Sequence, residues 1–106
     1  MKTLTEGHKY IMDNFMKDDH TAPQVIQFIE KAPVPAEDGG GLTTICNGTT
    51  NEEVLRVLID RMQYLQGKFP CRENAIVITN LEESLMWLEK RTADRKLRGV
   101  EGKQIK

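Results

Sequence analysis

Arg91 and Arg95 stand four positions apart in "EKRTADRKLR", residues 89–98, a stretch that holds five cations. Residues at i and i+4 of a helix lie one above the other, so two guanidiniums share a face there, with the Thr92 hydroxyl beside them. Such a pair can grip phosphate oxygens bidentately, in a geometry that lysine cannot reproduce. Lys and Arg in the last turns of a helix also answer its dipole and keep the surface hydrated, and the charge run alone leaves both uses open. Tyr64 and Asn74 form a second candidate group. An exposed Tyr ring can stack on a nucleobase, and an Asn amide can read a base edge or hold a ribose hydroxyl. Equally, Tyr packs and Asn caps helices.

Other chemistries lack raw material. There is no P-loop, G-x-G-x-x-G or H-E-x-x-H pattern, and the two histidines, His8 and His20, both fall in the first third of the chain. The one serine, Ser84, has no His near it in sequence, which leaves a nucleophilic triad without its base. Glu52–Glu53 and Glu82–Glu83 are adjacent on helical segments, so their carboxylates point to different faces and read as capping and solvated surface. Catalysis is therefore not expected, nor is a cofactor. Cys46 and Cys71, 25 positions apart with no C-x-x-C pair, read as free thiols rather than metal ligands.

The 106 residues suffice for one small domain, 39% hydrophobic and 29% charged, within the range of globular proteins. Sixteen acidic against fifteen basic residues give a formal net charge of −1, which supplies no general attraction to nucleic acid or anionic lipid. A nucleic-acid module using Lys90, Arg91, Arg95, Lys96 and Arg98 on phosphates is the alternative reading, with an adaptor oligomer that takes no small ligand as another. The charge balance and the 6% of aromatic residues argue against nucleic acid. No apolar run approaches the roughly 20 residues needed to cross a bilayer, and the first residues lack a secretory pattern, so no membrane partner is expected and the cytosol is the expected compartment.

The elements that must position these residues divide near Gly48. Before it, "QVIQFIEK" (24–31) and "LTTIC" (42–46) are rich in β-branched residues and predict strands; "APVPAEDGGG" between them predicts a long hairpin loop. "HKYIMDNF" (8–15) fits a short third strand better than a helical turn. After Gly48, "TNEE" (50–53) is a capping box that starts a helix. Leu55, Leu58, Met62 and Leu65 form its apolar stripe, and Gly67 sits where a left-handed cap is wanted. A second helix, from about Pro70 to Leu97, carries Ile78, Leu81, Leu85 and Leu88 on one stripe. The fold class is α+β: a small antiparallel β-sheet over 1–48, then an antiparallel two-helix hairpin over 49–106, within a single domain of 1–106.

Ile76, Val77, Met86 and Trp87 add apolar surface beside the second stripe, more than a lone hairpin can bury, so oligomerisation through the helices is expected. Asn74 and Arg91 are 17 residues apart, about 25 Å along one helix. A dinucleotide-sized ligand that touches both must lie between the tip of one hairpin and the basic end of another, across an antiparallel dimer.

These residues also carry a resemblance. "ENAIVITNLEESLMWLEKRTADR" and "RGVEG", together covering Glu73 to Gly102 almost without a break, are similar to the helical hairpin of phage anti-defence sponge proteins. That family is shared by Thoeris anti-defence proteins of the first type (Tad) and CBASS inhibitors (Acb). The strand-rich first half resembles the Tad branch more than the all-helical Acb branch. The resemblance implies sequestration, without degradation, of a cyclic ADP-ribose isomer (glycocyclic ADP-ribose) or of a cyclic di- or trinucleotide. It also implies a dimer assembled into a trimer of dimers, acting in the host bacterial cytosol. By position in the motif, Arg91, Asp94 and Arg95 correspond to a pyrophosphate and ribose clamp, and Tyr64 and Asn74 to the base-side contacts.

Overall fold

The computed structural model describes residues 1–99, so the end of the "RGVEG" motif lies outside the described residues. Two compact units divide between Thr50 and Asn51. The first is all β apart from one 3-10 turn, and the second is helical, the α+β class that the two periodicities predict.

In the first unit, β1 (Lys2–Thr5), β2 (Lys9–Met12) and β3 (Gln24–Gln27) form an antiparallel sheet in chain order. A second antiparallel pair joins β4 (Glu30–Pro33) to β5 (Leu42–Cys46). The single strand expected over 24–31 is thus two strands in two sheets. Its ladder changes partner at Phe28 and Ile29. The Phe28 N–H donates to the His8 carbonyl (2.7 Å) and the Ile29 N–H to the Thr49 carbonyl (2.9 Å), while the Thr49 N–H reaches the Gln27 carbonyl (2.8 Å). Strand 8–15 contracts to β2, whose Tyr10 meets Phe28 edge-on with centroids 6.1 Å apart. The loop between β4 and β5 closes over Ala36–Asp38, and Gly39, Gly40 and Gly41 all take positive φ there, which side-chain-bearing residues resist.

Asn14 and Asp18 hold the long β2–β3 connection. The Asn14 amide donates to the Ala22 carbonyl at 2.9 Å, and the Asp18 carboxylate accepts from the His20 and Thr21 N–H groups at 2.8 and 2.7 Å. Those backbone donors hold the Asp18 carboxyl below its ordinary pKa. A depressed folded-state pKa stabilises the loop above the ordinary carboxylate range and loses that contribution as pH falls through the folded value. In an acid titration the His20 and Thr21 amide proton shifts will move together below the ordinary Asp range. In Asp18→Asn they will not move, and static shifts in the wild type would contradict the assignment.

The helical unit contains α1 (Asn51–Lys68) and α2 (Arg72–Leu97), with Thr50 just ahead of α1 where a capping box places it. Asn74, Ile78, Leu81, Leu85, Leu88 and Thr92 are half-buried and Arg95 is buried, an unbroken seam with alternating steps of four and three. On α1 the corresponding residues are Leu55, Ile59, Met62 and Gln66. Leu58, expected on that stripe, is turned outward, and Ile59 takes its place. Residues 54, 55, 57, 58, 59 and 62 are all apolar, so several stripes satisfy the period and only packing against α2 selects one.

The bend also departs from the expectation. Gly67 is helical rather than left-handed, and the Phe69 N–H still reaches the Leu65 carbonyl at 2.8 Å. Closure comes instead from the Gln66 amide, whose Nε2 donates to the Cys71 carbonyl and whose Oε1 accepts from the Cys71 N–H, both at 3.0 Å. Cys71, not Asn74, caps α2, its Sγ accepting from the Asn74 N–H at 3.4 Å. Gly99, with φ of 69°, supplies the left-handed residue after α2. Gln66→Ala removes two bonds to one peptide and should lower unfolding free energy by about 1–2 kcal/mol in urea titration, with the helix content preserved. An unchanged midpoint would show that the bend is held by packing alone.

Among the described residues no apolar side chain falls in the buried class; the one buried side chain is Arg95, at 7% exposure. No helix among them is long and apolar enough to cross a membrane.

Candidate functional site

The helical seam explains how the four candidates near the end of α2 are disposed. Successive i, i+4 positions are offset by about 40° around a helix, so Arg91 and Arg95 share a face without being equivalent. Position 95 continues the seam line and is buried; position 91 is exposed and makes no ion pair or hydrogen bond with any described residue. Thr92 is half-buried on the seam between them, and Asp94 is exposed, accepting from the Lys90 ammonium at 3.1 Å, one helical turn back. Both partners of that ion pair are largely solvated, so it adds about 0.3–0.5 kcal/mol at most. The expected stacked pair is therefore one guanidinium presented outward with a second set behind it.

Asn74 and Tyr64 lie at the other end of the hairpin. Asn74 begins the seam, half-buried, and with Cys71 as the cap no hydrogen bond engages its side-chain amide among the described residues. Tyr64, 60% exposed, stands on the side of α1 away from the seam, and the Lys68 ammonium lies 5.7 Å from its ring centroid. One chain unites Arg91, Thr92, Asp94 and Arg95, but leaves Asn74 about 25 Å along the same helix. Four of the six candidates thus fall within the last turns of α2, while Asn74 on the seam and Tyr64 on the outer side of α1 share an end of the hairpin but not a face.

The flank of the hairpin has a different chemistry. A groove of about 410 Å³ runs between the helices with Ile59, Leu85 and Met86 on its floor and Asp60, Glu82 and Glu89 at its edges. Arg56 is the one cation there, bonded to Glu89 at 3.2 Å and to Glu53 at 3.3 Å. Three carboxylates against one guanidinium repel an anionic ligand, and none of the six candidates lines this groove. A smaller hollow of about 240 Å³ lies against α2 at Arg72, Ile76, Thr79 and Asn80. Ser84, the one serine, donates its hydroxyl to the Asn80 carbonyl at 2.9 Å in mid-helix. Among the described residues no cluster of His, Cys, Asp or Glu is placed to hold a metal ion.

Sequence reasoning passed over Lys68 and Arg61, which flank Tyr64 on one helical stripe. Their positions, three before and four after the tyrosine, were signal enough to find them.

Comparison with known proteins places the chain among phage anti-defence relatives, by a match that spans parts of both units. The family model for the Acb2/Tad1 hairpin domain matches residues 23–93, about two thirds of the sequence. A protein of Bacillus phage SBSphiJ7 called Thoeris anti-defense 1 is 60% identical over 57 residues. That alignment covers 53% of this chain and 40% of the phage protein, so the chain matches less than half of its relative's length.

Proposed function

The chain belongs to the Acb2/Tad1 hairpin domain family, and from that premise we propose that it is an anti-defence sponge for cyclic nucleotide immune signals. It binds glycocyclic ADP-ribose, or a cyclic di- or trinucleotide, and releases it unchanged on denaturation, so that a Thoeris effector, and by extension a CBASS effector, is not activated. The working unit is an antiparallel dimer, within a trimer of dimers, in which each ligand lies between the two half-sites of different chains.

The observation that carries this reading is the disposition of polar groups along α2. An unpaired, exposed Arg91 with Arg95 behind it stands at one end, and an uncommitted Asn74 amide at the other. Arginine forks suit phosphate, the Asn74 amide and the Tyr64 ring suit a nucleoside, and the separation of about 25 Å requires two chains to bring them onto one small molecule. Exposed Ile76, Met86 and Trp87 leave apolar surface for such a partner to cover.

Isothermal titration with glycocyclic ADP-ribose, and with cyclic di- and trinucleotides, tests the ligand class. Chromatography of the ligand recovered after heating the complex tests the mechanism. Binding with full recovery of intact ligand is the expected result. Ligand converted to a new species would overturn sequestration, and absence of binding to every one of these ligands would overturn the reading as a whole. Native mass spectrometry of the loaded protein should give ligand only on species with an even number of chains.

A further inference from the structure

Val57, Arg61, Tyr64 and Lys68 repeat at steps of four, three and four along α1, a stripe on the side away from the seam. All four are exposed, and neither Arg61 nor Lys68 makes an ion pair with a described residue. The Lys68 ammonium lies 5.7 Å from the Tyr64 ring centroid, and Arg61 stands one turn to the other side. The tyrosine is thus an accessible aromatic plate between two cations, neither of them ion-paired with Asp60, the exposed carboxylate four positions before the ring.

We propose that Arg61 and Lys68 are phosphate-contacting residues of the half-site that Tyr64 forms, flanking the base stacked on its ring. This rests on the cyclic nucleotide reading above and adds to it. A cation over an aromatic ring at a solvated site is weakly held, and the lysine stem turns freely about four methylenes. A purine that takes the ring face displaces Nζ towards the rim of the base, where the phosphates of a cyclised nucleotide must pass. The cation–π contact is then exchanged for a charge-assisted hydrogen bond to phosphate, which is stronger. Arg61, on the other side of the ring, offers its fork to the second phosphate. A ligand carrying two phosphates therefore meets cations from both chains, Arg91 and Arg95 from one, and Arg61 and Lys68 from the other.

The test is titration of glycocyclic ADP-ribose into the full-length protein and into Lys68→Gln, Arg61→Gln and the double variant, at low and at physiological ionic strength. Each single variant should bind about 5- to 30-fold more weakly. Each should also bind with a shallower dependence on ionic strength, because one screened charge–charge contact is gone, which a merely structural role would not change. Lys68→Arg should retain most of the affinity. Circular dichroism melts equal to wild type will show that the fold is unaffected, as expected for exposed side chains. Wild-type binding with affinity and salt slope unchanged in the double variant would overturn this inference alone. Absence of wild-type binding would overturn the function proposed above, and this inference with it.

Discussion

Arg91→Glu will abolish binding of the cyclic nucleotide, with a loss of at least about 100-fold in affinity, while the circular dichroism melt and the oligomeric state stay as in the wild type. The size of the effect follows from placing a carboxylate where a phosphate must sit. Under the proposed function the variant loses a charge-assisted contact and gains a like-charge repulsion, and each costs about 2 kcal/mol. The fold is spared because Arg91 is exposed and bonds to no described residue. Arg95→Glu would be a poor substitute for this test, since that side chain is 7% exposed and reversing a buried charge damages the helix end itself. Arg91→Lys will fall between wild type and Arg91→Glu, because a point charge replaces a fork. Calorimetry on the three proteins checks the order, and equal affinities would remove Arg91 from the site.

Gly48→Ala will be the most destabilising single-methyl change in the β unit. A Cβ at position 48 would stand 2.6 Å from the Phe28 carbonyl carbon and 2.9 Å from that of Gln27, closer than packed carbons approach. The atoms it meets are backbone, so no side chain can turn aside. Relief requires moving the Gln27–Ile29 segment away from Thr49, which strains the two hydrogen bonds that join them. A cost of about 2–4 kcal/mol is expected, a large fraction of the total for a small domain. Urea unfolding followed by an N-terminal probe measures it. A midpoint within error of wild type would mean that the 27–29 segment yields freely.

The helical half is the part most readable from the sequence, because a seam repeating every three and four residues is a local signal. Ile78, Leu81, Leu85 and Leu88 lie where their spacing puts them. α1 was ambiguous for the opposite reason: it is apolar on so many sides that the period admits Leu58 or Ile59, and packing against α2 decides. At the bend, Gly67 looked like the stop, yet the stop is a Gln66 side chain bonded to the Cys71 peptide, a contact that no residue propensity announces. Thiols rank low as helix caps, so nothing in the sequence marked Cys71 as the cap of α2. In the β half, residues 24–31 have one continuous composition, and the change of partner at Phe28 arises from Thr49, twenty-one positions later. At the candidate site, residue types and helical spacing reveal which groups stand near one another. Extending the Ile78–Leu88 stripe by its own steps of four and three reaches Thr92 and Arg95 and bypasses Arg91, a signal the sequence carried; how deeply Arg95 is covered depends on how the two helices pack.

α2 runs from Arg72 to Leu97 without an internal Gly or Pro, and this uninterrupted helix has a bearing on how such a protein can diverge. Asn74 and Arg91 are measured off on it as on a ruler. Inserting or deleting one residue between them would swing one terminus around the axis by about 100° relative to the other, and the two proposed half-sites with it. Under the proposed function, a change of preferred ligand must then arise by replacing side chains at fixed stations while the length of this helix stays constant.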